Sequence, residues 1–225
     1  MIKFPSEDGV EIVADLYKSN PDSATFIVLF HQAGWSRGEY LEIAPKLNLL
    51  GYNCLAIDQR SGNKVNGIEN VTVKNARKAM KDTKYVDAYQ DIEATVGYVK
   101  KYLTKGKVII LGSSYSSALV LKYAGDNPES IDAVLAFSPG EYFKSMGKPG
   151  DYIQSSAANI KCPSFITSAK SEKGSWWKIH ESISTNVKAY YLPETSGNHG
   201  SRALWQKFSD NEGYWDAVKS FLSNI

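Results

Sequence analysis

Short apolar runs recur along this chain, separated by stretches with helical spacing, and that alternation constrains the fold more than any other feature. Residues 25–30, 52–57, 108–111, 131–137, 164–167 and 187–192 read as strands, 25–30 and 108–111 as buried ones. Helical patterns lie between and after them, over 39–50 (stopped by Gly51), 85–103, 115–123, 176–183 and 214–221. Within 85–103, Ala88, Ile92, Val96, Val99 and Leu103 recur at three-and-four spacing and lay one apolar stripe along a helix. Strands alternating with helices in this order describe an α/β chain, with a mainly parallel central sheet and helices on both faces. The first segment departs from the rhythm. Residues 10–17, with Val10, Ile12, Val13, Ala14, Leu16 and Tyr17, follow the turn Ser6-Glu7-Asp8-Gly9, which predicts an antiparallel hairpin at the N-terminus.

A chain of 225 residues suits one core, so 1–225 is expected to be a single domain without linkers or repeats. Its 26 basic and 24 acidic residues leave a net charge of +2, too small for the positive field that nucleic-acid binding requires. The opening Met1-Ile2-Lys3-Phe4-Pro5-Ser6-Glu7 lacks a leader's apolar stretch, and no later run approaches a membrane span, so a cytoplasmic protein without membrane contact is expected. Cys54 and Cys162 each fall in a strand-like segment and read as free core cysteines. His31, His180 and His199 share no ligand spacing, so no metal is expected, and no cofactor. Oligomeric state is not readable. Residues 61–84, rich in Lys and Arg, show no clear period and read as an irregular rim, either a solvated face or a substrate-contacting loop.

One stretch carries chemistry. The apolar run 108–111 passes into Gly112-Ser113-Ser114-Tyr115-Ser116 and then a helical pattern. A strand, a sharp turn and a helix, with small residues two before and two after Ser114, is the context that lifts a serine hydroxyl above a sheet. The segment resembles the nucleophile elbow of the α/β-hydrolase family, G-x-S-x-G, with Ser116 replacing the last glycine. Three further segments match that family in order. Phe30-His31-Gln32-Ala33-Gly34 is similar to its His-Gly oxyanion loop, with Gln32 in place of the usual glycine. Asp58-Gln59-Arg60-Ser61-Gly62 resembles its Asp-x-Arg-Gly turn, which implies structural roles for Asp58 and Arg60. Thr195-Ser196-Gly197-Asn198-His199-Gly200 puts a histidine in a glycine-flanked loop after a strand, where the family keeps its base. His180, inside a helical pattern, reads instead as a partly exposed helix residue, and His31 as a packing residue.

The resemblance implies an α/β-hydrolase fold like that of compact esterases and dienelactone hydrolases. Ser114 would be the nucleophile, His199 the base and Glu172 the acid that orients it, with backbone N–H groups of Tyr115 and of Ala33 or Gln32 forming an oxyanion hole. Glu141, after the preceding strand, is the rival acid. Residues 138–163, where this family commonly inserts caps, are too few for a large one, so a shallow site for small carboxylic esters is expected. Thioester or peptide cleavage would use the same groups, and a non-catalytic binding protein would keep the fold without needing them.

Overall fold

The computed structural model describes residues 1–225. Eight strands form one sheet in the order β1-β2-β4-β3-β7-β8-β9-β10, and β5 pairs with β6 in a separate hairpin. The chain divides into two contact-dense units, Met1–Leu111 and Gly112–Ile225.

The first unit opens with β1 (Ile2–Pro5) and β2 (Glu11–Tyr17), the antiparallel hairpin expected from the sequence. Then come β3 (Phe26–Phe30), α1 (Ile43–Leu49), β4 (Asn53–Ile57), the small hairpin β5 (Lys64–Val65) and β6 (Ile68–Glu69), α2 (Val71–Lys78), α3 (Tyr89–Tyr102) and β7 (Val108–Ser113). β3 and β4 run parallel and are buried at every residue, as strands covered on both faces must be. Most of the predicted stripe is buried, with Ala88, Ile92, Val96 and Val99 out of solvent, while Leu103, just past the end of α3, is half-buried.

Two expectations need correction here. The predicted helix over 39–50 is interrupted: Arg37–Tyr40 is a 3-10 turn capped by the Ser36 hydroxyl, and α1 starts only at Ile43. Pro45 explains the break. It has no N–H, and its ring would collide with the carbonyl four residues back, so it is tolerated only in a helix's first turn. Residues 61–84 are not irregular throughout: 64–78 hold β5, β6 and α2, and only the two ends of the stretch lack regular structure. Asn70 starts α2, its side chain accepting from Val73 N–H at 2.9 Å. Thr72, Val73 and Ala76 face inward while Lys74, Arg77 and Lys78 are exposed, which makes that part of the basic run a solvated helix face.

Buried ion pairs hold the loops of this unit. Asp58 is fully buried and accepts from Arg37 N–H (2.9 Å), the Arg37 guanidinium (2.7 Å) and Val71 N–H (2.7 Å). Arg60, also buried, donates to Asp91 through Nε (3.0 Å) and Nη2 (2.8 Å) and to Asp8 through both terminal nitrogens. Asp58 and Arg60 are therefore the loop-locking residues that their motif implied. His31 is fully buried; its Nε2 accepts from Gln59 N–H (3.0 Å), which leaves Nδ1 to donate to Gln32 O (2.8 Å). Burial depresses its pKa from 6.5 to about 4, so the ring is neutral at pH 7.

The second unit contains α4 (Tyr115–Asp126), β8 (Ala133–Phe137), α5 (Tyr152–Ala157), β9 (Ser164–Thr167), α6 (Lys173–Ser182), β10 (Lys188–Tyr191) and α7 (Asn211–Ser223). β8, β9 and β10 are parallel. Between β8 and β9 lie only a 3-10 turn, Lys144–Met146, and α5, a six-residue helix that the sequence reading missed. His180 is not partly exposed as expected but 8% accessible, stacked on Trp177 (5.3 Å between centroids, 18° between planes) and edge-on to Tyr190. Cys54 and Cys162 are free and buried.

Arg60→Met should remove about 3–5 kcal/mol from equilibrium urea unfolding, because it strands the buried Asp91 carboxylate; a loss below about 1 kcal/mol would contradict the role given to the network. For His31 the folded pKa lies below the unfolded one, so its contribution is complete above about pH 6.5 and lost as pH falls toward 4. Wild type should therefore lose stability over that interval relative to His31→Gln, by about 3 kcal/mol at the low end.

Candidate active site

Strand β7 ends at Ser113, and α4 begins at Tyr115. The whole reversal from strand to helix is taken by Ser114, at φ 57°, ψ −122°, a backbone region that side-chain-bearing residues rarely adopt. Its neighbours hold it there. Ser114 N–H donates to Phe137 O (2.7 Å), and Ser114 O accepts from Ser117 N–H (2.9 Å) and the Ser117 hydroxyl (2.5 Å). The turn is tight enough that a Cβ on Gly112 would lie 2.5 Å from Ser116 O and 2.6 Å from Ser117 N. Glycine is thus required at 112, whereas at 116 it is the backbone that makes the close approach, and a serine side chain is accommodated there.

The turn points the Ser114 hydroxyl at His199, whose Nε2 lies 2.8 Å from Oγ. On the other side of the ring, Nδ1 lies 2.5 Å from Glu172 Oε1. His199 rides on the loop after β10, anchored by Arg202 Nε donating to His199 O (3.1 Å) and by Ser201 N–H donating to Ser113 Oγ (2.9 Å). Glu172 closes the 3-10 turn Lys170–Glu172 after β9. Its Oε2 accepts from the Ser138 hydroxyl (2.7 Å) and from Ala169 N–H (3.1 Å). Burial alone would raise this carboxyl's pKa, but hydrogen bonds from His199, Ser138 and Ala169 prevail and hold it below the ordinary glutamate value. The group is an anion at neutral pH. An acid, an imidazole and a hydroxyl in line can transfer a proton from oxygen to Nε2 while the carboxylate fixes the tautomer and balances the imidazolium.

Glu141 is engaged elsewhere. Its carboxylate accepts from Ile153 N–H (3.0 and 3.1 Å to its two oxygens) and Gln154 N–H (2.8 Å), capping the start of α5. Of the oxyanion candidates, Tyr115 is the first residue of α4, at the positive end of the helix dipole. In the first unit, Gln32 N–H donates to Glu39 Oε2 at 2.7 Å, which commits that donor and leaves Ala33 as the candidate from its loop. Sequence reasoning missed Ser138. Its place directly after β8 and before Pro139-Gly140 was visible, but its contact with Glu172 depends on a backbone at φ 59° that no spacing announces.

A family model described as serine aminopeptidase, S33, a hydrolase family, matches residues 21–161. This chain belongs to the S33 hydrolase family. The match includes Ser114 and stops short of Glu172 and His199, so the base and acid rest on the geometry above. Solved structures resemble this S33 chain over nearly its full length. They include an esterase from Pyrococcus furiosus (19% identity, 99% of this chain and 91% of that one, TM-score 0.73) and a dienelactone hydrolase from Anabaena variabilis (13%, 100% and 98%, 0.72). Another is Est1E from Butyrivibrio proteoclasticus, solved with ferulic acid bound (15%, 100% and 98%, 0.75). At these identities the likeness is one of fold, the α/β-hydrolase fold. No curated protein matches the chain.

The two glutamates of this S33 hydrolase can be separated directly. Glu172→Gln keeps shape but loses the charge facing the imidazole, and the comparable change in a serine protease lowers turnover roughly 10⁴-fold. Glu141→Gln should leave most activity. The check is kcat on folded protein with a chromogenic ester; the opposite ranking would move the acid to Glu141.

Proposed function

We propose that this protein is a carboxylic-ester hydrolase that works through an acyl-enzyme on Ser114. The observation that carries the reading is the unbroken relay Glu172 Oε1–His199 Nδ1 (2.5 Å) and His199 Nε2–Ser114 Oγ (2.8 Å). Ser114 Oγ attacks the ester carbonyl as its proton passes to His199 Nε2. The tetrahedral oxyanion is held by Tyr115 N–H, at the start of α4. His199 then protonates the departing alkoxide, and the acyl group stays on Ser114. A water molecule, deprotonated by His199, attacks that acyl carbon; collapse returns the proton to Ser114 Oγ and releases the carboxylic acid. Throughout, Glu172 keeps Nδ1 protonated and offsets the charge of the imidazolium.

Esters are the favoured substrates because the similar solved structures include proteins named as esterases. Small acyl groups are favoured because β8 and β9 are joined only by a 3-10 turn and a six-residue helix, and binding a long chain needs an extended apolar cleft. A second reading, aminopeptidase chemistry with the same relay, is favoured by the description of the family to which the chain belongs. No helix is long and apolar enough to cross a membrane. We assign the protein to the cytoplasm on its two unpaired cysteines, and we treat it as one domain because the boundary between its units falls inside strand β7.

Ser114→Ala should lower turnover on the order of 10⁶-fold without unfolding the protein, and it should abolish labelling by a fluorophosphonate. Absence of labelling on wild type would favour a binding protein instead. A panel of 4-nitrophenyl esters graded from acetate to dodecanoate, run beside aminoacyl 4-nitroanilides, tests the substrate class. Acetate and butyrate esters are expected to be fastest; faster anilide cleavage would shift the assignment to peptidase.

A further inference from the structure

Ser138 is buried, with 1% of its surface accessible, and it stands at φ 59°, one of four residues other than glycine with positive φ in the chain. Such a backbone is costly for a serine and free for a glycine, so the side chain must be retained for something it touches. Its backbone is fixed on both sides: Ser138 N–H donates to Thr167 O (2.7 Å), and Ser138 O accepts from the Tyr142 hydroxyl (2.6 Å). Its hydroxyl makes two bonds of defined direction. Gly200 N–H, which can only donate, gives a hydrogen bond to Ser138 Oγ at 2.8 Å. The hydroxyl proton is therefore directed at the other partner, Glu172 Oε2, at 2.7 Å.

We infer that Ser138 is a positioning residue of the active site, a single hydroxyl that sets the separation between the acid and the loop carrying the base. Gly200 directly follows His199, so the two bonds tie the carboxylate and the imidazole backbone to one atom held by β8 and β9. With Oε2 taken by Ser138 and Ala169, only Oε1 faces His199 Nδ1, and the carboxylate cannot rotate away from it. The Ser138 hydroxyl bonds Glu172 and Gly200, not the Ser114 hydroxyl, so it acts through Glu172. The inference rests on the relay proposed above.

Ser138→Gly is the informative variant, because glycine accepts the backbone conformation while the hydroxyl is lost. Turnover of 4-nitrophenyl acetate should fall in kcat by about 10- to 100-fold, the factor expected for one hydrogen bond to a charged group. KM should stay within about twofold, since ground-state binding is untouched. Tm should not fall. In a Glu172→Gln background the same Ser138→Gly change should cost less than about threefold, because the partner it acts through is already disabled. Ser138→Ala repeats the comparison should the glycine variant fail to fold. Unchanged kcat, an equal loss in both backgrounds, or misfolding of both variants would overturn the inference. Full activity in Glu172→Gln alone would overturn the relay and Ser138's role with it, a result distinct from a harmless Ser138→Gly beside a crippled Glu172→Gln.

Discussion

Everything chemical in this protein depends on one close backbone approach, that of Gly112 to Ser116 and Ser117 across the turn between β7 and α4. Because no Cβ fits at 112, strand and helix can be joined by a single residue, and that residue is forced into a conformation it would not choose. The hydrogen bonds on either side of Ser114 over-determine the geometry, which is how local strain persists in a folded chain. The result is a hydroxyl presented at the end of a strand, beside a helix N-terminus, and aimed at His199 Nε2.

The partners of that hydroxyl come from the ends of other strands in the same unit. Ser138 follows β8, Glu172 follows β9 and His199 follows β10, and successive parallel strands deliver them side by side. This matches the general behaviour of parallel sheets, whose C-terminal strand ends border ligand sites. The sheet supplies coarse placement. The final ångström comes from hydrogen bonds: Ala169 N–H and the Ser138 hydroxyl on Glu172, and the anchors at His199 O and Gly200 N–H.

Much of this was legible in the sequence, and for physical reasons. Buried parallel strands are near-continuous apolar runs, so β3, β4, β8 and β9 stood out, and the stripe on α3 stood out through its period. Ser114, His199 and Glu172 could be named because each follows a strand in a segment with recognisable small residues, although their meeting could only be expected. What failed were short elements and buried polar groups. α2 and α5 offer few apolar positions, and α5 is capped by Glu141 from outside its own segment, which made that glutamate look available as an acid. His180 looked exposed because nothing in its own helix shows that Tyr190 closes over it. The interruption at Pro45 was readable, since proline is tolerated only in the first turn of a helix.

The two strained serines, 114 and 138, stand one residue beyond the ends of β7 and β8, each at a positive φ (57° and 59°). At both, folding by itself would be served better by glycine. With Ser114 and Ser138 in the roles proposed for them, selection for stability and selection for chemistry pull against each other at these positions. A lineage released from catalysis would be expected to lose its serines there first, and the pseudoenzyme left behind would be the sturdier fold of the two.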